Sequence, residues 1–379
     1  MHLEITKEVL LHYLLQIYKI LPPKTLFPIF HYIKIKALNN VCYLEAMDYN
    51  KNIQLQIKDT DLSVKQNGSL VIIGKHLVDI IKKIDFCSLE MTLVEDYLLF
   101  INSKNSEYKL KVIDLQFFPS VSFDFESDKF LVIKKELLKK IIKEVNVAAS
   151  RDKQQKILMG VNFIYENSIL RVLATDTFRI AQKEISLDLD YCDFNITVSY
   201  KNLEELYKLL DYQKDEFVNI SINKQKMILK CDSLLFQTTL LEGKYPAWPI
   251  IKVGSFPFFV KINRLDFLKT LERVSLVLTK EENIFSNIIR LYIRLDNIIE
   301  ISASSDEIGQ ASERLNSIEV FANENVETFL NVQHLEDILK VFAVKEFKMI
   351  FDSFATSFVV FNEEDAGMLY LLFPVVGKI

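Results

Sequence analysis

Hydrophobic and polar positions alternate between two periods along this chain, and the switch between them recurs. Six segments open on a short strand-like run and continue with apolar residues three and four apart, the spacing of an amphipathic helix. They are LEITKEVLLHYLLQI from Leu3, LVIIGKHLVDIIKKI from Leu70, LVIKKELLKKIIKEV from Leu131, ITVSYKNLEELYKLL from Ile196, FVKINRLDFLKTLERV from Phe259 and FLNVQHLEDILKVF from Phe329. The first apolar helical residues, Val9, Leu77, Leu137, Leu203, Phe267 and Leu335, stand 68, 60, 66, 64 and 68 residues apart. In the third segment Ile133, Leu137, Leu138, Ile141, Ile142 and Val145 mark one apolar face, while Lys135, Lys139 and Lys143 line another. Between the helical segments the period falls to two, as in 217–229 and 291–301, with Asp296-Asn297 marking a hairpin turn.

A coarser period overlies the first. LEAMDYNKNIQLQI, VLATDTFRIAQKEI and ISASSDEIGQASERL each carry an alanine followed shortly by aspartate, and Ala46, Ala174 and Ala303 lie 128 and 129 residues apart. The reading is α+β: three similar domains, each of two strand–helix–strands repeats, with mainly antiparallel sheets. The expected domains are 1–126, 127–253 and 254–379, with breaks in the polar or proline-containing stretches near 124–128 and 251–257.

Composition narrows the possibilities. Half of the 379 residues are hydrophobic and 26% are charged, enough for a large core and incompatible with disorder. Eight glycines leave little for phosphate-cradling loops; Gly68-x5-Gly74-Lys75-His76 has the wrong spacing and reads as a strand entering a helix. Cys42, Cys87, Cys192 and Cys231 are widely separated, form no C-x-x-C, and fit a reducing cytosol. The N-terminus lacks a basic leader, and no run of 18 uncharged apolar residues occurs, so neither a signal peptide nor a membrane span is expected.

The net charge of −5 is unevenly spread. The windows 5–24, 75–83, 134–143, 201–208, 264–273 and 336–345 carry +2, +2, +4, 0, +1 and 0, which leaves −14 for the rest of a chain whose total is −5. Basic helices without base-reading motifs suit sequence-independent phosphate contact. The five histidines show no metal-ligand spacing, and no nucleophile–base constellation is present. Glu363, Glu364 and Asp365, followed by Gly367, read as a hairpin turn rather than a catalytic pair. No catalytic residue, metal or cofactor is expected.

Ala174-Thr175-Asp176-Thr177-Phe178-Arg179-Ile180-Ala181, Glu242-Gly243-Lys244-Tyr245-Pro246 and Leu372-Phe373-Pro374-Val375, with Leu26-Phe27-Pro28-Ile29, resemble the bacterial DNA polymerase III beta subunit along essentially the full length. The resemblance implies a DNA-clamp fold and a non-catalytic ring of two head-to-tail subunits, with helices lining the hole and sheets outside. Such a ring encircles double-stranded DNA and tethers the replicative polymerase. A size argument agrees that two chains are needed. A domain of about 126 residues is roughly 36 Å across, so three touching spheres leave a hole of roughly 5 Å and six leave about 36 Å. A duplex about 20 Å wide passes only the larger.

The resemblance implies a partner-peptide pocket at Leu158, Thr175, Thr177, Phe178, Arg179, Ile180, Pro246, Ile251, Asn331, His334, Phe354, Thr356, Phe373, Pro374 and Val375. It would serve the polymerase catalytic subunit, the clamp loader and other proteins with a clamp-binding motif. Thr177 and Phe178 replace a usual small residue and His or Tyr, Ile250 and Val376 replace frequent arginines, and the chain continues to Gly377-Lys378-Ile379. DNA contacts are expected from Lys24, Lys75, Lys82, Lys135, Lys139, Lys140, Lys143, Arg151, Lys153 and Lys156. Phe117 and Phe118 are expected to meet Leu276 and Val277 of a second copy in a cytoplasmic homodimer. The alternative is an interaction scaffold of the same fold that does not encircle DNA, separable by particle mass; a hydrolase has no residues to support it.

Overall fold

The computed structural model describes residues 1–123, 125, 130–189, 191–247, 258–279, 287–352 and 357–375. The expected domain breaks near 124–128 and 251–257 fall largely outside them. Six helices carry the predicted faces: α1 (Lys7–Tyr18), α2 (Gly74–Lys83), α3 (Lys135–Val145), α4 (Tyr200–Leu210), α5 (Arg264–Val274) and α6 (Val332–Val341). In α3 the residues Leu138, Ile141, Ile142 and Val145 are buried, as the spacing requires.

Two helical windows are corrected. The first helix does not reach residue 24, because residues 2–6 are a strand and Pro22-Pro23 bars the α conformation before it. The last begins at Val332 rather than 336, where the Asn331 side chain accepts from the Gln333 and His334 amides and caps the first turn. Charge shifts accordingly. Within the helices themselves α1 is neutral, α3 is +2 because Glu144 joins Glu136 against four lysines, and α6 is −1. Much of the basic surplus therefore sits outside the helices, on Lys19 and Lys134 that flank α1 and α3 and on Lys24 in the loop after α1.

The described residues divide into two compact units, each with two antiparallel sheets. The first comprises Met1–Lys139, Leu189–Tyr191 and Lys201–Leu240, the second Lys140–Asp188, Cys192–Tyr200 and Leu241–Ile379. In the first unit an eight-stranded sheet joins distant parts of the chain where Leu234–Thr239 pairs with Lys51–Ile57, in register from Leu234↔Leu55 to Thr238↔Lys51. In the second a nine-stranded sheet does the same where Arg179–Ser186 pairs with Met368–Leu372. Hydrogen bonding thus runs unbroken across the sequence repeats, which is why compactness groups the 128-residue repeats differently from their sequence period. Gly74 shows why a glycine stands between strand and helix. A Cβ there would lie 2.5 Å from Leu21 Cδ1 and 2.7 Å from Ile33 Cδ1, so the resemblance to a phosphate loop is a packing requirement.

One contact recurs three times. The first residue of α1, α3 and α5 is cationic, and each places its charge on carbonyls at the end of the following helix or up to three residues beyond it. Lys7 Nζ donates to Lys82 O at 3.2 Å and to Ile84 O, Lys135 Nζ to Gln213 O at 2.6 Å, and Arg264 to Val344 O at 2.7 Å and Leu339 O at 2.8 Å. The backbone amides of the same residues donate to Cys87 O, Glu216 O and Lys345 O at 2.6, 2.8 and 3.0 Å. These cations satisfy carbonyls that a helix cannot pair internally and sit at the negative end of its dipole.

All four cysteines are free; burial pushes the thiols of Cys42 and Cys231 up, to about 12 and about 11. Among the described residues no helix is long and apolar enough to cross a membrane. Arg264→Met should destabilise the second unit by about 1.5–3 kcal/mol in urea denaturation, because two charged hydrogen bonds vanish together. Lys269→Met, on the exposed face of the same helix, should stay within about 0.5 kcal/mol of the parent protein.

Candidate functional site

The second unit gathers most of the expected pocket around one turn. Strand Ile169–Thr175 passes through residues 176–178 into strand Arg179–Ser186, with Thr175 opposite Ile180. Thr177 sits at φ 79°, where a β-branched residue is strained, so the turn needs several restraints. Thr177 N–H donates to Thr175 Oγ1 at 3.0 Å, and the Phe178 and Arg179 amides both donate to Asp176 Oδ1 at 3.0 Å. Thr175 Oγ1 in turn donates to Arg179 O at 2.7 Å. The consequence is a division of labour at the tip: Phe178 is 41% exposed, while Arg179 is 6% exposed.

Beneath the turn, Leu158, Leu173 and Tyr245 form an apolar floor with Ile157 and Ile164 against it. Tyr245 ties the floor to the strand: its hydroxyl accepts from Thr175 N–H at 3.1 Å and donates to Gly160 O at 3.4 Å. Burial pushes its phenol up, so it remains a neutral donor. Gly243 reaches φ 121°, a conformation that glycine adopts freely, and lets the chain turn before Tyr245. Pro246 follows, exposed.

Helix α6 supplies the opposite side. Arg179 donates to Asp176 Oδ2 at 2.9 Å, His334 O at 3.1 Å and Asp337 Oδ2 at 3.2 Å, so its guanidinium is shared between two carboxylates. The His334 ring lies 6.2 Å from the Phe178 ring. Burial, then Arg179, holds His334 down to about 4 against the opposing pull of Asp176 and Asp337. The imidazole is therefore neutral at physiological pH. Phe373 N–H donates to Phe178 O at 3.1 Å and Val375 N–H to Phe329 O at 2.8 Å, which fixes the 373–375 segment alongside the turn.

The structure thus brings together twelve of the expected pocket residues in two roles. Thr177, Phe178 and Pro246 are exposed, and His334, Phe373, Pro374 and Val375 are half-buried. Leu158, Thr175, Arg179, Ile180 and Asn331 are buried and hold the others in place. Ile251, Phe354 and Thr356 lie outside the described residues, as do Ile250, Val376 and the 377–379 tail. Leu173, Tyr245, Asp176 and Asp337 are added. The first three lie in or beside motifs legible in sequence, whereas Asp337 is 158 residues from Arg179 and gave no signal.

The basic residues differ in exposure and in how many carboxylates or carbonyls hold them. Lys24, Lys75, Lys82, Lys143, Lys153 and Lys156 are exposed; Arg151, also exposed, has its guanidinium 3.8 Å from the Tyr200 ring centroid. Lys135 is bound to Gln213 O, Lys139 pairs with Asp211 at 2.7 Å and Glu136 at 3.3 Å, and Lys140 pairs with Asp365 at 2.7 Å. The hydrogen bond to Asp211 is the first cause of a raised Lys139 pKa. Two of the three lysines in the line along α3, Lys135 and Lys139, are therefore occupied by a carbonyl and by carboxylates, as is the adjacent Lys140. Asp365 lies in the turn at Glu363–Asp365, between paired strands, and binds Lys183 at 2.6 Å beside buried Glu144. Of the apolar residues expected at an interface, Phe117 is 65% and Leu276 70% exposed, Val277 is half-buried, and Phe118 is buried at 5%.

Comparison with known proteins follows the same segments. Models of the N-terminal, central and C-terminal domains of the DNA polymerase III beta subunit match residues 1–122, 132–247 and 257–376. The Beta sliding clamp of Bacillus subtilis is 27% identical over 381 residues, covering 99% of each chain. That of Staphylococcus epidermidis is 28% identical over 362 residues, covering 94% of each. The crystal structure of the DNA polymerase sliding clamp from Bacillus subtilis superposes with a TM-score of 0.91 at 27% identity over 100% of both chains.

The His334 environment has a consequence for pH. Its folded value of about 4 lies below the ordinary 6.5, so the unfolded chain binds the extra proton between them. The stability it contributes is complete above about pH 6.5 and is lost as pH falls to about 4. In NMR the His334 ring signals should stay in the neutral form down to about pH 5, and His334→Gln should flatten the stability profile across this window. A ring titrating near 6.5 in the folded protein would contradict this environment.

Proposed function

This chain belongs to the family of the DNA polymerase III beta subunit, the sliding clamps, and from that membership we propose how its own residues serve the clamp. It is a DNA sliding clamp, a non-catalytic subunit that gives the replicative polymerase its processivity. In the proposed assembly two copies close head to tail into a ring around duplex DNA in the cytoplasm, each contributing domains 1–126, 127–253 and 254–379. Exposed Phe117 of one copy faces exposed Leu276 of the other, with Val277 at the edge and Phe118 supporting from within. DNA is held topologically, and the exposed cations Lys24, Lys75, Lys82, Lys143, Arg151, Lys153 and Lys156 make weak phosphate contacts.

The proposed partner site is the surface around the 176–178 turn. The observation that carries it is the hydrogen bond from Phe373 to Phe178 O, which places a C-terminal segment beside an exposed aromatic tip over a buried apolar floor. A short peptide from the polymerase, the clamp loader or another clamp-binding protein would bury apolar anchors there. Because Arg179 is neutralised and His334 uncharged, affinity rests on apolar burial of about 25 cal/mol per Å² before ordering costs.

Two measurements test this reading. Loaded onto nicked circular DNA, the protein should remain bound at high salt and leave when the circle is linearised; equal retention on both forms would show that contact, not encirclement, holds it. Deleting residues 373–379 should abolish binding of a polymerase C-terminal peptide in calorimetry while leaving a dimer of about 88 kDa, twice the 44.2 kDa chain, in light scattering. Undiminished peptide affinity in the truncated dimer would remove the pocket assignment.

A further inference from the structure

Two exposed cations on the helices of the first unit rest on tyrosine rings contributed by a different part of the chain. Lys82 Nζ of α2 lies 6.0 Å from the ring centroid of Tyr18 on α1. Lys19 Nζ, at the end of α1, lies 4.7 Å from the Tyr212 ring just beyond α4 and donates a hydrogen bond to its hydroxyl. The Tyr212 ring is itself fixed, with the His12 ring edge-on at 5.7 Å. Neither lysine has a carboxylate within ion-pair distance among the described residues. A third pair supplies the contrast. Lys139 Nζ lies 5.5 Å from the Tyr207 ring, but Asp211 and Glu136 also hold it.

A carboxylate fixes a lysine and cancels its charge. A tyrosine fixes the ammonium through its ring quadrupole or, as at Tyr212, through its neutral hydroxyl, and leaves the charge intact for a second anion. Lysine carries one of the largest rotamer entropies of any side chain, so a head ordered beforehand meets a phosphate at lower cost. We propose that Tyr18 and Tyr212 are positioning residues for DNA, holding Lys82 and Lys19 charged and ordered for contact with the phosphodiester backbone of the duplex. This rests on the reading of the helix surface as DNA-facing. Tyr207 does not share the role, because Lys139 is already neutralised.

The test uses the full-length protein, a short fluorescein-labelled duplex and anisotropy over a salt series. Tyr18→Met/Tyr212→Met, which keeps apolar bulk without a ring, should weaken binding about tenfold, roughly two- to fivefold for each ring. The salt slope should stay unchanged, since no cation is removed. Tyr18→Phe, which keeps the ring over which Lys82 lies, should bind within about twofold of the parent, and Tyr207→Met should be neutral. In the unsubstituted protein, NOEs should link the Lys19 Hε protons to the Tyr212 ring and the Lys82 Hε protons to the Tyr18 ring, a readout independent of whether any variant folds. Parental affinity in the Met pair, an equal loss in Tyr207→Met, a Tyr18→Phe variant as weak as the Met pair, or absent lysine–ring NOEs would each overturn the positioning role alone. An unchanged affinity and salt slope in Lys19→Ala/Lys82→Ala would remove the DNA-facing reading as well.

Discussion

A cation at the first residue of every second helix, set on carbonyls at or just past the end of the next, is the contact from which the rest of the fold is organised. Lys7, Lys135 and Arg264 each make it, 128 and 129 residues apart, and their own amides donate to the strand that follows the partner helix. Three elements are thereby joined at one residue: the N-terminus of one helix, the C-terminus of its partner and the entry to a sheet. The geometry favours positive charge because unpaired carbonyls and the helix dipole converge there. With helix pairs anchored at that point, their apolar faces are directed onto the sheets and their outer faces are left for charge.

The same economy decides which cations can serve DNA. A lysine at a helix terminus, such as Lys135, is consumed by structure, and one beside an acid, such as Lys139 or Lys140, has its charge offset. Those that remain stand at helix ends, in loops or over tyrosine rings. A clamp must slide, and contacts that are few, exposed and salt-sensitive suit that need better than a dense basic lining. The proposed partner site follows the opposite logic. Arg179 is pinned by Asp176 and Asp337, and the neutral His334 stacks near Phe178, so charge there shapes an apolar surface instead of reading one.

At Thr177 the backbone explains a departure from the resemblance. A positive φ of 79° is costly for a β-branched residue, whereas the resemblance implies a small residue at this position. Thr177 keeps the conformation because the Thr175 hydroxyl and the Asp176 carboxylate satisfy the three amides of the turn. The cost falls on the turn, and the gain is the outward placement of Phe178.

The sequence by itself determined the α+β class, six amphipathic helices and the 128-residue repeat, because periods of 3.6 and 2 record which face each element buries. The resemblance carried by the 174–181 and 242–246 motifs pointed to the proposed partner site, and the structure shows a tight turn and a glycine at positive φ in them. Only the tertiary structure decided which lysines are free, because Asp211, Asp365 and Gln213 O are brought to α3 from distant positions. It alone paired Arg179 with Asp337 and Lys82 with Tyr18, and it alone carried strands across the repeats into two continuous sheets. Local periodicity encodes burial within one element. It holds no record of which distant charge will lie opposite, since that depends on how the elements pack.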